Sequence, residues 1–243
     1  MISKTEVKYI QSLAHKKFRE EEEAFVVEGV KWVDEMLTAF PTHLRKIYAT
    51  SEWLQTHPNL PNDISCVEVS VNELERISFQ QQPNKVLAVA DLPKVSFPDQ
   101  PGIVLVLDQI QDPGNLGTMI RTCDWFGVSA LVCSPDCADA FAPKVVQSTM
   151  GSIFRVPIRY SPLDAYLDSL GDIPIFAATL SGRNMNDVSF TKPCCLVIGN
   201  ESKGISSDVL DKTTVAVSIP RHGKAESLNA AVAAAILLSR MTS

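Results

Sequence analysis

The sequence predicts an α/β protein: a mainly parallel sheet with helices on both faces, preceded by a small α/β unit. Three observations predict it. Ile103-Val104-Leu105-Val106-Leu107 is an unbroken apolar run rich in β-branched residues, the pattern of a strand buried on both faces. Similar runs recur at 130–133, 154–158, 175–179, 195–198 and 215–219, with helical patterns between most of them, and this alternation fits parallel strands joined by crossover helices. The stretch from Asp91 to Gly102 holds three prolines, which have no N–H to give a ladder or a helix interior, so it reads as a linker. The expected organisation is therefore residues 1–92, a linker at 93–102, and a larger domain at 103–243.

Within the first part, Val7, Ile10, Leu13 and Ala14 recur at helical spacing and predict one helix over 4–18. The acidic run Glu20 to Glu23 reads as a solvated turn. Strands are expected at 25–27, 44–49, 66–69 and 86–90, and a helix at 30–40. No internal repeat or low-complexity tract interrupts the chain.

Composition narrows the function classes. With 45% hydrophobic and 21% charged residues, the chain reads as a soluble globular protein. No apolar run approaches the roughly 18 residues that span a bilayer. The segment Met1 to Glu6 lacks the apolar core of a secretory signal, so a cytoplasmic protein is expected. The formal charge of −6 excludes a protein that binds nucleic acid by overall positive charge. Divided at Phe97, both parts carry 11 Lys+Arg against 14 Asp+Glu, so an RNA contact must use local patches such as Lys16-Lys17-Phe18-Arg19 or Arg221-His222-Gly223-Lys224. The six cysteines form no C-x-x-C pair, and most lie in apolar stretches; reduced, buried thiols and no metal are expected.

Three loops hold the candidate chemistry, each following a predicted strand, where open α/β sheets bind ligands. The first runs from Asp108 to Arg121; Asp112 or Asn115 caps the coming helix, Pro113 suits its first turn, and Gly117 leaves room one turn before Arg121. The second is Gly199-Asn200-Glu201-Ser202-Lys203-Gly204, directly after an apolar run. The third runs from Ile219 to Asn229 into an Ala-rich apolar helix, with Ser227 as its expected N-cap. Each loop taken alone also suits a plain capped turn.

Taken together and in order, Asn115-x-Gly117-x-x-x-Arg121, Ile198-Gly199-Asn200-Glu201-Ser202-x-Gly204 and Ile219-Pro220-x-x-Gly223-x-x-x-Ser227-Leu228-Asn229 resemble the three motifs of the SpoU (TrmH-like) RNA methyltransferases of the SPOUT superfamily. The likeness spans roughly 103–240 and includes the segment Val145 to Phe154; Ser152 stands where alanine is commoner in the family and Arg221 where many members carry methionine. Residues 24–90 are similar to the L30e/L7Ae ribosomal proteins, chiefly through Phe25-Val26-Val27-Glu28-Gly29-Val30, which implies an RNA substrate-binding domain.

The resemblance implies transfer of a methyl group from S-adenosylmethionine to a ribose 2′-hydroxyl of RNA, with ribosomal RNA preferred over transfer RNA. It also implies a C-terminal trefoil knot and a homodimer with the active site at or near the subunit interface. Carried over, the catalytic positions are Arg121, Asn115, Glu201, Ser227 and Asn229, and the cofactor positions are Thr179, Gly199, Ile219 and Leu228. Competing readings are a transfer-RNA 2′-O-methyltransferase, a base methyltransferase of the same fold, a non-catalytic ribosome-assembly protein and a small-molecule nucleotide enzyme.

Overall fold

A computed structural model describes residues 2–61, 63–94, 96–98 and 102–243. Of the expected linker at 93–102, residues 95 and 99–101 lie outside the described residues. In chain order the helices are α1 (Lys4–Ser12), α2 (Lys16–Glu22), α3 (Val30–Ala39), α4 (Ser51–Thr56), α5 (Val71–Ile77), α6 (Pro113–Phe126), α7 (Pro143–Thr149), α8 (Leu163–Asp168), α9 (Ser207–Leu210) and α10 (Ala230–Thr242). The strands are β1 (Ala24–Glu28), β2 (Leu44–Ala49), β3 (Ser65–Glu68), β4 (Val86–Asp91), β5 (Ile103–Asp108), β6 (Ala130–Cys133), β7 (Ile158–Tyr160), β8 (Ile175–Asn184), β9 (Cys194–Gly199) and β10 (Val215–Ser218).

The chain packs as two compact units, Met1–Lys94 with Asp139–Phe154, and Val95–Ala138 with Arg155–Ser243. In the first, four strands lie in the order β1-β4-β2-β3, with antiparallel pairs flanking β4 and a parallel pair joining β2 to β3. Ser3 and Ser70 start α1 and α5 with capping boxes to Glu6 and Glu73, each satisfying two backbone donors that a bare helix start would orphan. Ile10, Leu13, Tyr48, Leu74 and Leu87 share the core of this unit. Residues 139–154 join it although they follow β6 in sequence: Arg19, 3% exposed, ion-pairs with Asp139 and donates to the Leu13 carbonyl at 2.6 Å, while Phe141 and Phe154 pack on Phe25.

The second unit holds six strands, all parallel, in the order β10-β8-β9-β5-β6-β7. The central strands β5 and β9 are buried almost throughout, as their unbroken apolar runs require. Several expectations need correction. The helix foreseen over 4–18 is two, broken at residues 13–15. The acidic turn is instead the last turn of α2, closed by Glu23 in a left-handed conformation. The strand foreseen at 154–158 is displaced: Ser152–Phe154 forms a 3-10 turn and β7 begins at Ile158. Among the described residues, no helix is long and apolar enough to cross a membrane, and no group of three or more His, Cys, Asp or Glu could hold a metal ion.

Candidate functional site

Strands β5 and β9 run side by side and end level, Asp108 opposite Gly199. The loops that leave β5 and β9 therefore emerge at the same edge of the sheet. Asp108 is 3% exposed, and its carboxylate accepts the Ser206 backbone N–H at 2.7 Å, tying the second loop to the first strand. Asn200 makes the second tie, donating to the Gln109 carbonyl at 2.8 Å while its own oxygen accepts the N–H groups of Ser202 and Lys203. Asn200 and Gly204 close the loop with two backbone hydrogen bonds of 3.0 and 2.9 Å. Gly204 sits at φ +72°, and a Cβ on Gly199 would lie 2.4 Å from the Gly204 carbonyl carbon, so neither glycine can be replaced without moving the turn.

Helix α6 begins as foreseen, with Asp112 as N-cap accepting the Asn115 N–H at 2.7 Å and Pro113 in the first turn. Leu116, Met119, Ile120 and Cys123 turn inward and are fully buried. The N-cap of α10 is Asn229 and not Ser227: the Asn229 side-chain oxygen accepts the N–H groups of Ala231 and Val232 at 2.9 and 3.2 Å. The expected cap, Ser227, lies two residues before the observed one.

The two loops and α10 meet in a directed chain of hydrogen bonds. Asn229 donates to the Asn115 carbonyl oxygen at 2.8 Å, and Asn115 donates to Glu201 at 2.5 Å. An ionised carboxylate only accepts, so Glu201 fixes which way the Asn115 amide faces, and Asn115 fixes Asn229 in turn. Residues 86 and 114 positions apart from Asn115 are joined in this way.

Beside the chain lies a pocket of about 660 Å³. Its lining includes Thr179, Gly199, Glu201, Ile219, Ser227 and Leu228, so all four expected cofactor positions and two of the catalytic ones share one cavity. Thr179 reaches it through an irregularity in the sheet: Ala216 pairs with Ala177, but Val217 pairs with Arg183, leaving residues 178–182 outside the ladder. A Cβ on Gly182 would lie 2.5 Å from the Ala216 carbonyl carbon, so this excursion depends on a glycine where β10 passes. The Thr179 hydroxyl is buried and has no hydrogen-bond partner. Arg121 stands apart. It is exposed on α6, is not among the residues lining the pocket, and makes no hydrogen bond or ion pair with another described residue. Sequence reasoning missed Asp108 as a tie, Asn200 as the strut of its loop, and the excursion of 178–182. A run ending in Thr-Leu-Ser-Gly carries no mark of leaving the ladder.

The family model of the SpoU rRNA methylase family matches residues 102–239, and that of the MRM3-like substrate binding domain matches residues 4–88. The chain belongs to the SpoU rRNA methylase family. This SpoU methylase is 34% identical over 235 residues to a 23S rRNA guanosine 2′-O-methyltransferase of Bacillus subtilis, covering 96% of this chain and 94% of that one. Its structure superposes on a TrmH-family protein of Porphyromonas gingivalis with a TM-score of 0.88 at 39% identity, covering 99% of this chain and 98% of the other. An AdoMet-bound rRNA methyltransferase of Sinorhizobium meliloti matches at TM-score 0.86 and 28% identity, with 99% and 96% coverage.

Proposed function

We propose that this SpoU methylase transfers a methyl group from S-adenosylmethionine to a ribose 2′-hydroxyl of RNA, with ribosomal RNA as the substrate class. The observation that carries the reading is the directed chain Asn229–Asn115–Glu201 at the edge of the Thr179 pocket, which unites all three motif loops. The pocket fits the cofactor on its own chemistry. An unpartnered buried hydroxyl at Thr179 awaits a polar partner, Ile219 and Leu228 supply apolar wall, and Gly199 keeps backbone where a side chain would intrude.

When bound, S-adenosylmethionine supplies a methyl group already activated by its sulfonium, so the protein's task is in-line positioning and care of the hydroxyl proton. Asn115 and Asn229, their amides oriented by Glu201, position the attacking hydroxyl, and Ser227 contacts the RNA. Arg121 organises the RNA phosphate and attacking oxygen. A guanidinium is a poor base but a permanent, forked donor.

The reading includes a homodimer with the active site near its interface. Its support is that Arg121 lies outside the chain's own pocket lining, while α6 and α10, which pack on each other, expose Trp125 (84%) and Val232 (48%). The trefoil knot belongs to the same reading. Residues 1–92 serve as the RNA substrate-binding domain, 93–102 as linker and 103–243 as the catalytic domain, in a cytoplasmic protein. Ribosomal over transfer RNA is supported by the Bacillus relative, which is named for 23S rRNA, and by the match to the SpoU rRNA methylase family.

The test is transfer of labelled methyl to unmodified ribosomal and transfer RNA, followed by nucleoside mass spectrometry. A 2′-O-methylated nucleoside from ribosomal RNA, lost with Arg121→Ala, is the expected result. A methylated base, or no transfer to either RNA, overturns the reading.

A further inference from the structure

The first unit contains a second cavity, of about 150 Å³, lined by no residue of the three motifs and used by none of the chemistry above. A cavity of about that size holds a single six-membered ring, which is room for the six-membered ring of one purine with the rest of the nucleotide outside. Its walls come from the end of β1 with Glu28, the first turn of α3 with Trp32, the segment after α5 with Phe79 and Gln80, and α7 with Lys144 and Gln147. The last wall exists because residues 139–154 pack in this unit. Gly151 allows the close approach: it sits at φ +87°, and a Cβ there would lie 2.7 Å from Glu35 Oε2 and 3.0 Å from the Trp32 ring.

We infer that this cavity takes one unpaired guanine base of the RNA, adding a base-reading site that shares no lining residue with the methyl-transfer pocket. The inference rests on the RNA reading of the protein. Proteins read single-stranded RNA by stacking its bases on aromatic side chains and hydrogen-bonding their edges. Trp32 and Phe79 supply the aromatic surface. Glu28 supplies the edge reader, held in place by the Ser78 hydroxyl at 2.5 Å and the Phe79 N–H at 2.8 Å. Each of its oxygens accepts one of these bonds and keeps a further lone pair. An acceptor-only group selects an edge with adjacent donors. Guanine presents N1–H beside its N2 amino group; adenine, cytosine and uracil have no two donor groups adjacent on that edge. The amides of Gln80 and Gln147, the Lys144 ammonium and the Trp32 indole N–H make no hydrogen bond to another described residue, leaving donors for guanine O6 and a phosphate. Gln80 opens the run Gln80-Gln81-Gln82, which lies outside the three motifs.

The chain has three tryptophans, so full-length protein labelled with 5-fluorotryptophan gives three fluorine resonances, assignable by single Trp→Phe variants. Titration with GMP is expected to move the Trp32 signal while Trp53 and Trp125 stay, at concentrations at least about fivefold below those needed with AMP, CMP or UMP. The second measurement is binding of a hexameric oligo-U strand carrying one guanine, against oligo-U alone. The Lys144→Ala/Gln147→Ala protein, altered only at exposed side chains, should bind the guanine-containing strand about fivefold or more weakly and oligo-U little changed. A Trp32 signal that ignores all four nucleotides, or answers them equally, overturns the inference. So does a GMP response with no guanine preference in the strand, which marks a free-nucleotide site. Neither readout requires methyl transfer. A wild-type protein that transfers no methyl yet responds to GMP at Trp32 therefore counts against the enzymatic reading and not against the cavity.

Discussion

The Thr179 hydroxyl is buried in the pocket wall with no partner, and a buried polar group left unpaired carries a desolvation cost. Thr179→Val keeps the shape and removes that cost, so the free protein should melt at the same temperature or slightly higher. Cofactor affinity, measured by calorimetry, should fall about 3- to 10-fold, the worth of one ordinary hydrogen bond. Unchanged affinity would remove Thr179 from the cofactor site. Gly199→Ala behaves oppositely. Its Cβ meets backbone at 2.4 Å, so the loop must shift, and about 1–3 kcal/mol of stability should be lost in urea denaturation together with cofactor binding. These two residues were named from the sequence for different reasons. Gly199 stands in a strand-to-turn sequence whose backbone need is local. Thr179 was named only through family likeness, because what matters about it, burial without a partner, is produced by a distant strand slipping its register.

At the scale of elements, the most consequential contact is the one that seats residues 139–154 in the first unit. Arg19 is 3% exposed, and losing one partner of a buried ion pair costs about 3–5 kcal/mol because the other charge is stranded. Asp139→Asn should therefore destabilise the protein by about 3 kcal/mol in urea. Arg19→Met in that background should restore part of the loss, since no stranded charge remains; a double variant no better than the single one refutes the pair. Helix α1 carries a pH-sensitive counterpart. Hydrogen bonds from Lys46, with further help from Ser3, hold the Glu6 carboxyl down to about 2. A depressed folded value means the stabilisation is present above the ordinary carboxylate range and is lost as pH falls towards 2. Glu6→Gln should flatten the fall in urea midpoint across that window, and an unaltered slope assigns it to other carboxylates. Most strands were legible because buried parallel strands are continuous apolar runs, β6 to the residue. Short helices such as α4 and α9 were not, since a turn or two of amphipathic sequence carries too little periodicity. Nor was the seating of 139–154, which a reading in chain order leaves with the sheet it follows. It depends on Arg19 and Asp139 being 120 residues apart and paired.

For the whole molecule, a formal charge of −6 and a polyanionic substrate set a limit on how the two can meet. Overall attraction is unavailable, so affinity must come from a few local cations, and the salt dependence of binding counts them. Around the proposed methyl-transfer site these are Arg121, Lys203, Arg221 and Lys224. With roughly 0.7 counterions released per phosphate on a single strand, four contacts give a slope of log affinity against log salt near about −3. The same measurement separates the two roles open to Arg121. As organiser it holds a phosphate, so Arg121→Ala should make the slope shallower by about 0.7, while Arg121→Lys keeps the charge and the slope. Both variants should lose methyl transfer, by about 10²–10⁴-fold for alanine and less for lysine, because an ammonium cannot reproduce the forked geometry. Neither should change the melting temperature, since the side chain is exposed and makes no hydrogen bond or ion pair with a described residue. An Arg121→Ala slope equal to wild type would take Arg121 off the phosphate and leave the proton as its remaining business. A wild-type slope steeper than about −7 would mean that the RNA is gripped at many more phosphates than the local patches supply, and the substrate would then have to lie across both units.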